Sequence, residues 1–186
     1  MNQNIQKSDS ELITEILNGE TELFRILVDR YKNTVAGIVM NMVQSKDKAE
    51  DIGQEVFVRL YRSLKKFKGD SSLGTYIGRI AINLSLNELK REQKMQQRFK
   101  SGYEGIEIES SGNMASDIEN VELLEMALQS LKPQYRSIIV LRHIEGYSTK
   151  ETSEIVQLPQ GTVLSRLSRG MEKMKKALLK LGYESD

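Results

Sequence analysis

Thr162, Ser165, Arg166 and Arg169 lie three, one and three residues apart, and Lys173 and Lys176 continue the same side of the segment. Over residues 160–180 six side chains are basic and one, Glu172, is acidic. At helical pitch, hydroxyls and guanidinium groups sharing one face can bond phosphates and base edges together. An ordinary surface helix more often mixes Glu and Lys in i,i+4 pairs. Val163, Leu167, Met171, Met174 and Leu178 recur at the period of an inward-facing stripe, so the segment reads as an amphipathic helix. Upstream, Ser148 with Glu151 three residues on forms a capping box, the start of a shorter helix. Pro159 lacks an amide hydrogen and disfavours helix at Leu158, so that helix ends before it. Short helix, tight turn and basic helix make a helix-turn-helix, whose second helix suits the DNA major groove.

A second group able to do chemistry spans residues 67–76. Gly69 gives the backbone freedom, Asp70, Ser71 and Ser72 offer hydrogen-bonding groups, and Phe67 and Tyr76 flank them with rings. A base drawn out of a duplex needs polar groups for its edge and aromatic walls for its faces. The same residues also fit a plain interhelical turn capped by Ser72 with both rings packed, and the two readings are compatible. A third group, Glu50, Asp51 and Glu55, clusters early in a predicted helix, where the helix dipole favours negative charge.

Other chemistry finds no support in these residues. The chain has no cysteine, so disulfides, thiolate metal sites and cysteine nucleophiles are excluded. His143 is the one histidine and lies beside Leu141 and Ile144, both read as core, which gives it a structural role rather than metal ligation. The eight methionines fall mostly at core spacing. Gly161-Thr162 lacks the lysine spacing of a phosphate loop. No metal, cofactor or small-molecule substrate is expected.

Net charge is only +1 over 186 residues, but the charge is segregated. Residues 59–100 hold eleven basic and three acidic side chains, and residues 101–126 hold seven acidic and no basic ones. Two basic blocks around an acidic one suit a protein with two surfaces for anionic ligands. No apolar run reaches membrane-spanning length, and the polar first ten residues are unlike a signal peptide, so the expected location is cytoplasmic.

Helical periodicity runs through the chain, and the expected fold class is all-α: two small helical domains on a flexible linker, with a C-terminal helix-turn-helix. Ser8 and Glu11 open a first helix with Leu12, Ile13, Ile16 and Leu17 inward and Gly19 as its stop. A longer helix buries Leu23, Phe24, Leu27, Tyr31, Val35, Ile38, Val39 and Met42, and Gly37 within it suggests close packing. Ser45 or Asp47 starts a third, with Ala49, Ile52, Val56, Leu60 and Leu64 inward. A fourth runs from about Leu73 into the nineties and ends polar all round. The expected boundaries are 1–98 for the first domain, 99–116 for an acidic linker and 117–186 for the second domain. There, Ile118, Val121, Leu124, Leu128 and Leu131 form one helix. Pro133 starts the next, which buries Ile138, Ile139 and Leu141 and ends at Gly146.

Two segments together resemble one family, the bacterial sigma factors of the small extracytoplasmic-function group. Residues 49–61 (Ala-Glu-Asp-Ile-Gly-Gln-Glu-Val-Phe-Val-Arg-Leu-Tyr), 67–76 and 79–84 are similar to the core-binding helix, promoter-melting loop and minus-ten-reading helix of sigma domain two. Residues 131–178 are similar to sigma domain four. The resemblance implies that Asp51, Gln54, Glu55, Arg59 and Arg62 dock on the clamp helices of the largest subunit of RNA polymerase core, with a further contact to the flap of the second largest. It implies that Phe67, Gly69, Asp70, Ser71, Ser72, Tyr76, Arg79 and Asn83 meet the minus-ten promoter element. It implies that Thr162, Leu164, Ser165, Arg166, Ser168 and Arg169 meet the minus-thirty-five element. An anti-sigma factor is an expected partner, and no enzymatic activity is expected. Tyr76 stands where the family usually has tryptophan, and Thr152-Ser153 where it commonly has Ile-Ala. A basic residue is common at Leu164 and a larger one at Ser168, so promoter sequence does not carry over. Two other classes fit the helix-turn-helix alone. A site-specific recombinase would need a catalytic domain that residues 1–98 do not suggest. A ligand-sensing activator or repressor leaves the basic stretch 59–100 without a role.

Overall fold

A computed structural model describes residues 7–100 and 116–183. Among the described residues there are eight α-helices and no strand: α1 (Asp9–Leu17), α2 (Phe24–Met42), α3 (Lys46–Ser63), α4 (Leu73–Lys100), α5 (Ser116–Ser130), α6 (Pro133–Ile139), α7 (Thr149–Val156) and α8 (Gln160–Lys180). The fold is all-α, with one helical unit in α1–α4 and a second in α5–α8. Residues 101–115, most of the expected acidic linker, lie outside the described residues.

Local chemistry sets the helix ends. The Ser8 hydroxyl accepts from the Glu11 amide at 3.4 Å and the Glu11 carboxylate accepts from the Ser8 amide at 2.7 Å, completing the box. Gly19, at φ +115°, takes the positive-φ conformation that ends the first helix. Ser45, not Asp47, caps α3 through the Lys48 amide at 3.4 Å. α2, α3 and α4 then pack into a three-helix core, with Leu27, Ile38, Met42, Leu60, Ile77 and Ile82 wholly buried. α1 closes one end with Leu12 and Ile16. The far end of α4 runs past this core, and residues 93–98 are exposed, Met95 among them.

In the second unit α6 gives way to a wide π turn, Val140–Ile144, in which the Glu145 amide reaches the Val140 carbonyl at 2.9 Å. The expected single helix to Gly146 is thus shorter and changes pitch. The extra residue in the turn swings Ile144 outward, where it is 47% exposed, and His143 with it. Neither is core, a correction to the sequence reading. Leu17, Val121, Leu124 and Met171 are also exposed, because each sits at the edge of its helix stripe where no neighbouring helix covers it. Below the C-terminal end of α5, the Arg136 guanidinium is buried. It donates to the Leu128 carbonyl at 3.1 Å, the Leu131 carbonyl at 3.1 Å and the Gln129 carbonyl, filling the acceptor end of that helix.

The two units pack against each other. Arg136 Nη1 also donates to the Met42 carbonyl at the end of α2, at 2.7 Å, and Gln129 Nε2 donates to the Asn41 carbonyl at 3.2 Å. α7 lies along α4, and Glu145 is seated against Gly37 of α2, the close approach that glycine permits.

Candidate nucleic-acid interface

The helix-turn-helix is built as its residues dictate. The Ser148 hydroxyl accepts from the Glu151 amide at 3.2 Å, and the Glu151 carboxylate accepts from the Ser148 amide at 2.8 Å. Hydrogen bonds from the Ser148 hydroxyl and then the Ser148 amide hold the Glu151 carboxyl below its usual range. α7 stops at Val156, and Gln157 turns the chain with φ +54°. The Ser153 hydroxyl donates to the Leu158 carbonyl at 2.5 Å, pinning the turn, and Pro159 precedes the first residue of α8. Val163 is wholly buried and Gly170 lies against Ile139 and Tyr135, so α8 is anchored along one side. Leu164, Ser165, Ser168 and Arg169 are exposed together near its N-terminal end, and Thr162 is half-buried. Ser165 donates back to the Thr162 carbonyl at 3.1 Å, leaving its acceptor lone pairs outward. Further along, Lys173 stands 5.8 Å from the Tyr135 ring and Lys176 pairs with Glu172 at 2.6 Å. Arg166 departs from the sequence reading. It is half-buried and lines a cleft shared with α4 instead of the open basic face.

The loop before α4 has the other expected group. Gly69 takes φ +78°. Lys68, Gly69, Asp70 and Ser72 are exposed, and Ser71 is half-buried. Ser72 caps α4 by accepting from the Thr75 amide at 3.1 Å. The Phe67 and Tyr76 rings are 5.2 Å apart and tilted by 59°, and the Arg79 guanidinium lies 5.6 Å from the Tyr76 centroid. Both rings are half-buried against the core, so the turn has packed walls as well as an exposed polar rim. One helical turn past Arg79, Asn83 is exposed on α4.

On α3, Asp51, Gln54, Arg59 and Arg62 are exposed, and Glu55 is half-buried and bonded to Arg59 Nε at 2.8 Å. Beside Gln54 runs a groove of about 310 Å³ between α2 and α3, lined by Val35, Met40, Gly53 and Phe57. Next to Arg62, Phe24 and Tyr61 meet edge to face at 5.0 Å, with Val58 exposed alongside. The sequence reading named only charged and polar residues on this face. Met40, Phe57, Val58 and Tyr61 add an apolar component that sequence reading missed. The signal was present: residues 57, 58 and 61 form a second apolar stripe beside the core stripe of α3. The described residues contain no cluster of acidic or histidine side chains that could hold a metal ion. No helix among them is long and apolar enough to cross a membrane.

Among the described residues, an all-helical fold with a helix-turn-helix in its second unit and an aromatic-walled polar loop before α4 of its first fits a DNA-binding protein. Residues 27–95 match the family model described as Sigma-70 region 2, and residues 122–174 the one described as Sigma-70, region 4. The chain belongs to the sigma-70 family, in its extracytoplasmic-function group, and is an RNA polymerase sigma factor that recognises promoters. It is 31% identical over 190 residues to the RNA polymerase sigma-H factor of Pseudomonas aeruginosa, covering 97% of this chain and 98% of that one. It is 33% identical over 177 residues to the ECF RNA polymerase sigma-E factor of Escherichia coli K12, covering 90% and 92%. Two solved structures share the fold at 21% identity. CnrH in complex with the cytosolic domain of CnrY has a TM-score of 0.71, over 95% of this chain and 100% of that one. The sigma factor RpoE in complex with the anti-sigma factor NepR from Bartonella quintana has a TM-score of 0.67, over 86% and 98%.

Proposed function

We propose that this sigma factor divides its work between residues 1–98, which hold core polymerase and open the minus-ten element, and residues 117–186, which bind the minus-thirty-five element, with 99–116 as the connection. The observation that carries the reading is the loop at the start of α4. It combines exposed backbone and hydroxyl groups with the Phe67–Tyr76 ring pair, 5.2 Å apart, and Asn83 follows on the same helix. An extruded base is held by such walls and read by such edges. Stacking contributes about 1–3 kcal/mol per base, which offsets the few kcal/mol that unstacking costs. Strand opening then needs capture and no ATP chemistry from this chain; polymerisation belongs to the polymerase, in the cytoplasm.

Asp51, Gln54, Glu55, Arg59 and Arg62 dock on the clamp helices of the largest subunit, and the groove beside Gln54 supplies apolar area. Arg79 holds phosphate. Ser165, Ser168 and Arg169 face the major groove with Leu164, while Thr162 and Arg166 set the helix on its backbone. The second unit also reaches the flap of the second-largest subunit. An anti-sigma factor that covers the polymerase-binding face is a further partner, a reading supported by the two solved relatives, whose structures contain the CnrY domain and NepR. Run-off transcription with core polymerase, using the wild type and a Phe67→Ala/Tyr76→Ala variant, tests the melting role. The variant should bind core normally, fail on duplex promoter and recover on a template already mismatched at the minus-ten element. Equal loss on both templates would defeat it.

A further inference from the structure

Val163 and Gly170 seat α8 on its neighbours, and Leu164 stands clear of that seat, 53% exposed. Over residues 160–170 it is the one large apolar side chain that is exposed, among the described residues. Its neighbours on the outward ridge are short. Gly161 lies three residues back, Ser165 follows directly and Ser168 lies four on, and all three are exposed. The Ser165 hydroxyl donates back to the Thr162 carbonyl at 3.1 Å and so lies along the helix. A methyl group at Gly161 would meet nothing within 4 Å. The Leu164 side chain therefore projects beyond the ridge, and no part of the fold needs it as core. A lone exposed leucine is ordinary on a soluble surface, but this one sits between DNA-facing hydroxyls and Arg169.

Leucine has nothing to offer a hydrogen-bonding base edge. In the major groove guanine presents acceptors, cytosine a donor and adenine one of each, whereas thymine sets its C5 methyl beside an acceptor. That methyl is the one apolar group a standard base pair shows there. Leucine over a guanine or cytosine edge strips water from groups it cannot bond, which is unfavourable. Over thymine it removes two apolar surfaces from water at once. The short ridge residues let α8 settle deep enough for this contact, since a helix about 10–12 Å across fills a groove of about 12 Å. Arg169 lies five residues on, about 7.5 Å further along the helix and roughly two base steps away. The two side chains thus meet different base pairs.

We propose that Leu164 determines specificity at one base step by taking the C5 methyl group of a thymine, so that this chain selects T·A where an arginine or lysine at the same position would select guanine. The proposal rests on the assignment of α8 to the minus-thirty-five element. Removing that one methyl from the duplex should weaken binding about fourfold, the factor that corresponds to one buried CH₂-sized group.

The test uses holoenzyme assembled from this chain and core polymerase. It first selects duplexes from random-sequence DNA. Its affinity for the selected duplex is then measured with each minus-thirty-five thymine replaced in turn by deoxyuridine, which removes the methyl and leaves every hydrogen-bonding group in place. One position should lose about fourfold in affinity. Holoenzyme carrying Leu164→Ala should show no loss there, because the group that met the methyl is gone. Leu164→Arg should select guanine at that position and leave the step read by Arg169 unchanged. Leu164 is exposed, so both variants should keep the helical content of the wild type. The proposal is overturned if no thymine in the element responds to loss of its methyl. It is also overturned if the deoxyuridine penalty is the same size with Leu164→Ala, which would place the effect in the DNA itself, or if Leu164→Arg still selects thymine. Arg169→Ala separates this from the underlying assignment. Where it shifts the selected sequence and the Leu164 variants do not, the assignment of α8 stands and the thymine contact alone fails. Where none of the three shifts it, both fall.

Discussion

Arg136→Met should be among the most costly single changes in this chain. The guanidinium donates to three carbonyls at the C-terminal end of α5 and to one at the end of α2. Hydrogen bonds to a charged group contribute about 1.5–3 kcal/mol each, so the gross loss is roughly 6–12 kcal/mol. Against this, methionine no longer places a charge in a buried site, where burial already lowers the guanidinium pKa and the penalty is several kcal/mol. Water reaching part of the vacated helix ends offsets more. A net loss of about 3 kcal/mol is expected, measured as the shift in urea unfolding of the whole chain followed by helical circular dichroism. Arg136→Lys should recover less than half of it. A lysine ammonium has three donors on one atom and cannot span four carbonyls at two helix ends. A loss for Arg136→Met below about 1 kcal/mol would refute the view that this cation stabilises the joint.

Three other outcomes are expected. Reversing charge at Asp51 and Glu55 to lysine should weaken binding to core polymerase at least about tenfold, measured by competition, with helical content unchanged; equal affinity would remove α3 from that interface. Arg169→Ala should cost about 1–3 kcal/mol of promoter affinity and relax selection at one base step in a binding-selection experiment, whereas a uniform loss over all sequences would make it a phosphate contact. Ser148→Ala should cost about 1 kcal/mol in thermal unfolding at neutral pH. The Glu151 carboxyl is held below its usual range by Ser148, so its contribution is full above the unfolded value and is lost as pH falls through the folded one. The gap between variant and wild type should therefore shrink on acidification, and a gap that widens would contradict the capping box.

The sequence by itself determined what depends on neighbours along the chain. Both capping boxes, the stop at Gly19 and the break before Pro159 rest on side chains bonding backbone within a few residues. The inward stripes of α2, α3 and α8 follow from the helical period. That Phe67 and Tyr76 flank the turn with packed rings was legible too, while their contact with each other came only from the structure. Only the tertiary structure decided which stripe edges are covered. Ile144 and His143 turn outward because a π turn adds one residue to the helix, a choice that no local propensity marks. Met40 and Tyr61 look like spare core positions until the helices stop short of covering them. Gly37 announced a close approach, but Glu145, more than a hundred residues away in sequence, could not be named as what approaches it. The seating of α7 on α4, and with it the position of Arg166 in a cleft beside Asn83, lies in contacts between residues some 70 to 90 apart. Such pairs leave no periodic trace, because each is satisfied by shape and by backbone carbonyls that every residue carries.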